Sequence, residues 1–193
     1  MKMLLSIFCL YLLIDSAYAQ SLGGLPVDRA TGRIRYQAVV PVAGVSQADL
    51  VARACEWATA AASPDTPPVI WHQPDTEVLV LSGAQPFAYT YAMGGTFNGR
   101  PRTQTIRSVL HYTLRLYLEE GRYRYEATDF AFVRPTSPTK EPAEDPLIRT
   151  KAITESGASS LAAERQQFQV VTAKLLTQLQ DAMRKPSGES AAN

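Results

Sequence analysis

TIRSVLHYTLRLYLEEGRYRYEATDFAF, residues 105–132, alternates apolar and polar side chains on both sides of a Glu120-Gly121 pair. Period-two alternation is the mark of a strand with one buried face. Leu110, Tyr112, Leu114, Leu116 and Leu118 share one face of the first arm. Tyr123, Tyr125, Ala127 and Ala131 share one face of the second, which places Asp129 on the same side. A two-residue turn at Glu120-Gly121 sets Leu118 against Tyr123 and Leu116 against Tyr125, so the apolar faces coincide. The same register sets Glu119 against Arg122, Tyr117 against Arg124 and Arg115 against Glu126, complementary pairs on the far face. A slip of one residue would ruin both sets, so the register is predicted from two independent constraints.

Upstream of this hairpin, Ile34, Tyr36, Ala38, Val40 and Val42 alternate as a further strand. Ser46, with Asp49 three residues on, opens a helix in the manner of a capping box. Leu50, Ala54, Trp57, Ala58 and Ala61 form its apolar face, and Ser63-Pro64 and Pro67-Pro68 stop it. Val69–Trp71 and Val78–Leu81 read as strands joined through Pro74-Asp75. Gly83 and Pro86 predict a bulge or bend before Phe87, Tyr89 and Tyr91. Residues 94–101 read as a loop with an Asn98-Gly99 turn at its tip.

Residues 134–158 hold Pro135, Pro138, Pro142 and Pro146 and read as an extended, structureless linker. A last helix is expected from Ser159 or Ser160 to Arg184, with Leu161, Phe168, Val171, Leu175, Leu179 and Met183 as its apolar stripe. Residues 20–31 read as a flexible arm and residues 186–193 as a disordered tail. The sum is one α+β domain over residues 32–185, a curved antiparallel sheet with two helices on one face and the other face open.

Lys2, an apolar run from Met3 to Ile14, and Ala17-Tyr18-Ala19 are the three parts of a secretory signal peptide. The run is short of the roughly 20 residues that span a bilayer. Cleavage after Ala19 removes 19 of the 193 residues and leaves 174 beginning at Gln20, a chain bound for the periplasm or the exterior. The formal net charge of +1 argues against a dedicated nucleic-acid partner and fits poorly with anionic lipid. Cys55 is the one cysteine beyond the leader, so no internal disulfide holds the domain, and it reads as a small buried apolar residue rather than a reactive thiol.

Gly32-Arg33-Ile34-Arg35-Tyr36, Val39-Val40, Gly44-Val45-Ser46, Leu50, Arg53-Ala54 and Glu56-Trp57 resemble the opening of an exported bacterial family, domain of unknown function 4468 with a TBP-like fold. Gly121-Arg122-Tyr123-Arg124-Tyr125 with Thr128-Asp129-Phe130 is similar to its closing hairpin, so the resemblance spans residues 32–132. It implies a β-α-β-β-β-β-α layout and supplies no activity, cofactor or catalytic residue.

No motif in the chain carries a recognised chemistry. His72 and His111 are the two histidines, too few for a multi-histidine metal site, and each reads as a surface or boundary residue. No metal or cofactor is expected. The open sheet face is expected to display Arg33, Arg35, His111, Arg115, Tyr117, Arg124 and Glu126. Of these, Arg33, Arg35, His111 and Tyr117 are the candidate binding residues, with Arg33 and Arg35 lacking evident partners. The expected function is a non-catalytic binding or structural module of the bacterial envelope, its partner an envelope protein or a glycan. The alternative is an envelope hydrolase whose acid, Asp129 or Glu126, stands on the sheet.

Overall fold

The computed structural model describes residues 20–22, 24–61, 67–73, 78–148 and 155–185. The proposed signal peptide, the Ser63-Pro64 and Pro74-Asp75 turns and the tail lie outside them. A small pair, β1 (Gln20–Leu22) and β2 (Leu25–Val27), precedes β3 (Tyr36–Pro41) and α1 (Gln47–Ala60). Then come β4 (Val69–Gln73), β5 (Val78–Phe97), β6 (Arg100–Glu119), β7 (Arg122–Arg134), β8 (Ser137–Pro142), α2 (Glu144–Leu147) and α3 (Glu155–Arg184). The main sheet is antiparallel, in the order β3-β7-β6-β5-β4, and β8 also pairs with β7. Helices α1 and α3 pack on each other and on one face of the sheet, the two-layer α+β arrangement the sequence predicts.

The central hairpin has the predicted register. Leu118 faces Tyr123, Leu116 faces Tyr125, Arg115 faces Glu126, Tyr117 faces Arg124 and Glu119 faces Arg122. Helix α1 starts as expected: Ser46 Oγ accepts from the Asp49 backbone N–H and satisfies one of the unpaired donors of the first turn. Leu50, Ala54, Trp57 and Ala58 are its buried residues. The stripe of α3 runs through Phe168, Leu175, Leu179 and Met183 as predicted, but also through Glu164 and Thr172, two polar residues that the sequence reading passed over.

Five expectations are corrected. The 20–31 arm is packed, not flexible: Leu25 and Val27 are buried, Val27 bridges to Ile34, and Gln169 Nε2 of α3 donates to the Gly24 carbonyl at 2.9 Å. The Pro-rich segment is structured as well. Pro138 and Pro142 are tolerated because β8 is an edge strand, where a missing N–H can face solvent, while Pro135 sits in the β7–β8 turn and Pro146 in α2. The following α2 buries Glu144, which accepts the Ile34 backbone N–H at 2.9 Å. Residues 149–154 of that segment are outside the described set.

Gly83 makes no bulge. β5 and β6 pair without a register break from Val78–Tyr117 to Ala92–Thr103. Gly83 lies directly opposite Tyr112, and a Cβ there would stand 2.5 Å from the Tyr112 hydroxyl, so the glycine is required by ring packing. Pro86 is accommodated because β4 covers only Val78–Ser82 of β5, leaving no partner on that side to receive an N–H. The predicted 94–101 loop is instead the distal part of both strands, interrupted by one bulge between Ala92 and Thr96. Asn98 and Gly99, with φ of 51° and 72°, form the tip turn as expected.

The fifth correction reorganises the sheet. Thr113 pairs with Thr128 but His111 pairs with Ala131, so Asp129 and Phe130 together oppose Tyr112. This bulge, with Asp129 at φ 54°, falls where β7 exchanges one neighbour for another. Residues up to Ala127 pair with β3, and residues from Ala131 pair with β8. It shifts the phase of the strand by one residue. Phe130 and Phe132 therefore enter the core against Phe168, with ring centroids 5.1 and 6.4 Å away, and Asp129 turns to the open face.

Candidate functional site

The open face is built from the outward positions of β3, β5, β6 and β7 and from the chain just before β3. Alternation fixes Thr113, Arg115 and Tyr117 outward on β6, and Arg124 and Glu126 outward on β7. The bulge adds Asp129. Arg33 Nη1 donates to Asp129 Oδ1 at 2.6 Å, and Arg115 Nη2 is 3.8 Å from Asp129 Oδ2. Arg115 Nη1 donates to Thr128 Oγ1 at 3.0 Å. Arg35 Nη1 donates to Asp28 Oδ2 at 2.9 Å, while its Nε is 2.9 Å from Glu126 Oε1. Tyr117 donates its hydroxyl to Glu126 Oε2 at 3.3 Å, and the Arg124 guanidinium lies 3.7 Å above the Tyr117 ring.

Arg33 and Arg35 are therefore not partnerless, and Arg115 is held by Thr128 and Asp129 rather than by Glu126 opposite. Four guanidinium groups meet three carboxylates, which leaves the network one positive charge in excess. Asp28 is the member that the sequence reading missed, because its segment was read as an arm. Its carboxylate closes a turn by accepting the Ala30 and Thr31 amides. The Thr31 amide, and after it the Arg35 guanidinium, hold Asp28 below its ordinary carboxylate pKa.

His111 stands on the same strand face as Arg115 but toward β8, apart from this network. Burial, and then the charge of Lys140, push its pKa down. On the other flank, Trp71 is 57% exposed. Trp71 pairs with Val80, Val80 with Arg115 and Arg115 with Glu126 in one row across the sheet. Two interstrand steps, about 10 Å, thus separate the backbone of Trp71 from that of Arg115.

A second polar group lies under α3. Arg134 reaches both Glu141 and Glu164, and Tyr89 is 3.5 Å from Ser160. Burial pushes the Glu164 pKa up against the lowering effect of Arg134. A cleft of about 350 Å³ adjoins this group, lined by Phe132, Arg134, Ser137, Thr139, Lys140 and Glu141. Neither Asp129 nor Glu126 lines it. Cys55 is half-buried, and burial pushes its thiol pKa up, away from the range of a reactive thiolate. No group of three or more metal-ligating side chains occurs among the described residues, and no described helix is long and apolar enough to cross a membrane.

Residues 36–133 match the family model described as "Domain of unknown function (DUF4468) with TBP-like fold". Two solved structures are similar. One is a DUF4468 family protein from Bacteroides ovatus, with TM-score 0.59, 15% identity, 84% of this chain and 93% of that chain covered. The other is a TBP-like protein from Parabacteroides distasonis, with TM-score 0.55, 15% identity, 81% of this chain and 96% of that chain covered. At that identity they show the fold. Comparison with curated proteins found no match.

Proposed function

The chain belongs to the DUF4468 family with the TBP-like fold, and from that fold and its open sheet face we propose that it is an exported, non-catalytic binding module of the bacterial envelope. Residues 1–19 are its cleaved leader, and the mature protein begins at Gln20. The observation that carries the reading is the composition of the open face: an ion-paired network with one guanidinium in excess, beside an exposed tryptophan. Planar guanidinium groups receive carboxylates in fixed geometry, and an indole gives a sugar ring or an extended chain a flat apolar seat. The ligand this suits is an acidic glycan, or an acidic extended segment of another envelope protein, laid across the sheet from β4 past β7 to the chain before β3. Arg33, Arg35 and Tyr117 lie along that path, and His111 lies at its β8 end.

The hydrolase alternative has less support. Asp129 and Glu126 are both engaged by guanidinium groups, and both stand outside the cleft, whereas an acid catalyst needs a concave site in which further polar groups converge. Titration of isotope-labelled protein with acidic oligosaccharides and acidic peptides, read by NMR, tests the proposal. Resonances of Arg33, Arg35, Tyr117 and Trp71 should move, and Arg33→Ser with Arg35→Ser should abolish the effect. A ligand that shifts only resonances away from this face contradicts the binding reading. Turnover of the ligand that is lost in Asp129→Asn or Glu126→Gln supports the hydrolase. Intact mass of the secreted protein should match a chain starting at Gln20; retention of residues 1–19 contradicts export with cleavage.

A further inference from the structure

Beyond the open face, the distal part of the β5–β6 hairpin runs past its neighbouring strands. β7 pairs with β6 only from Val109 onward, and β4 covers β5 only over Val78–Ser82, so the rest of the hairpin is a two-stranded ribbon. At its base Phe87 and Tyr89 are buried in the core. Beyond them every residue from Ala92 to Thr105 is exposed. A two-stranded ribbon has little stability of its own. This one is braced by a Thr90–Thr105 hydroxyl pair at 2.8 Å and by the Tyr91 hydroxyl donating to Gln104 Oε1 at 2.7 Å. Nothing in the core requires it to extend as far as it does.

The charge of the ribbon is one-sided. From Val78 to Leu118 the chain has Arg100, Arg102, Arg107 and Arg115 and no aspartate, glutamate or lysine. Arg115 belongs to the open-face network, whereas Arg100, Arg102 and Arg107 pair with no carboxylate among the described residues. The formal net charge of +1 conceals this segregation. The tip is also apolar: Phe97 is 71% exposed and Met93 41% exposed. Phe97 faces Arg100 across the tip turn. The bulge at Met93-Gly94-Gly95, set against Arg102, brings Met93 and a second guanidinium alongside.

We propose that this ribbon docks on the anionic headgroups of a lipid bilayer, with Phe97 and Met93 entering the acyl boundary and Arg100, Arg102 and Arg107 meeting lipid phosphates. Cationic side chains around a solvent-exposed apolar tip are the combination that a bilayer surface rewards from both sides, charge at the headgroups and burial beneath them. A soluble polyanion would use the arginines and leave Phe97 and Met93 in water. The surface is separate from the open face, and the inference does not depend on the ligand proposed there.

The test uses the protein from Gln20 onward, which contains every described element and the whole core, so that the apolar leader cannot bind vesicles itself. It should co-sediment with phosphatidylcholine vesicles containing about one part in three phosphatidylglycerol, and weakly with phosphatidylcholine alone. Each cation at an anionic surface is worth about fivefold in affinity, so Arg100→Gln, Arg102→Gln and Arg107→Gln together should weaken binding on the order of a hundredfold. Phe97→Ser should weaken it about tenfold. Phe97→Trp should blue-shift its emission on the anionic vesicles, a readout independent of any loss of folding in the other variants. Absence of binding by the parent protein, or binding indifferent to the three arginines, overturns the proposal. Binding that needs the arginines but neither Phe97 nor a lipid phase, and that heparin reproduces with no blue shift, assigns the ribbon to a soluble polyanion and overturns it too.

Discussion

Asp129 offers a test in which the sign of the effect decides. In a regular strand, glycine is worse than alanine by about 0.5–1 kcal/mol, because it loses more backbone freedom on folding. In the left-handed conformation that Asp129 adopts, at φ 54°, a Cβ crowds the following carbonyl, at a cost of roughly 1–2 kcal/mol that glycine escapes. Asp129→Ala and Asp129→Gly both delete the carboxylate, and with it the contacts to Arg33 and Arg115. That loss cancels between the two variants, which leaves the backbone difference. The glycine variant should be the more stable by about 1 kcal/mol, which for a domain of this size is roughly 2–4 °C in Tm. Urea unfolding followed by circular dichroism measures it. An alanine variant more stable than the glycine variant would refute the bulge and restore the uninterrupted alternation.

Three further outcomes are expected. Gly83→Ala places a methyl group 2.5 Å from the hydroxyl and 2.6 Å from the Cζ of buried Tyr112, so it should cost about 1–3 kcal/mol of unfolding free energy; a neutral effect would mean that the ring moves aside. The Arg35→Ala, Glu126→Ala double-mutant cycle should give a coupling near 1 kcal/mol, because both partners are partly buried, whereas Arg115→Ala with Glu126→Ala should give much less. Burial raises the Glu164 pKa above its ordinary 4.5, so the folded state holds that proton more tightly than the unfolded chain. The contribution is fully present below 4.5 and is lost as pH rises through the raised value. Glu164→Gln should therefore remove a fall in stability on the alkaline side of 4.5, and an unchanged profile contradicts the assignment.

What could be read from the sequence, and what could not, follows physical lines. The 105–132 hairpin was legible because two side-chain sets, Leu116 against Tyr125 on one face and Tyr117 against Arg124 on the other, demand one register. Helix α1 was legible because its cap and apolar face are local signals. The bulge was not, since a single inserted residue leaves the average alternation intact. Its trace was Phe130 and Phe132, two large apolar residues at the polar parity, which the alternation argument gave up in favour of Ala131. Arg33, Arg35 and Tyr117 meet carboxylates in the structure, and the partners of the two arginines could not be seen in the sequence. Asp28 is brought to Arg35 by a turn, and Asp129 to Arg33 by the bulge, and neither approach leaves a mark in spacing. The prolines of β8 misled for a definite reason: an edge strand tolerates them, and only the topology shows that β8 is an edge.

The phase change in β7 is what assembles the open face, and side-chain NOEs in solution measure it most directly. Phe130 ring protons should show NOEs to Phe168 and to Tyr36, whose ring centroids lie 5.1 and 6.0 Å away, and cross-strand backbone contacts should link Thr113 with Thr128 and His111 with Ala131. NOEs from the Ala131 methyl to Phe168, with Phe130 showing none to the core, would contradict the account.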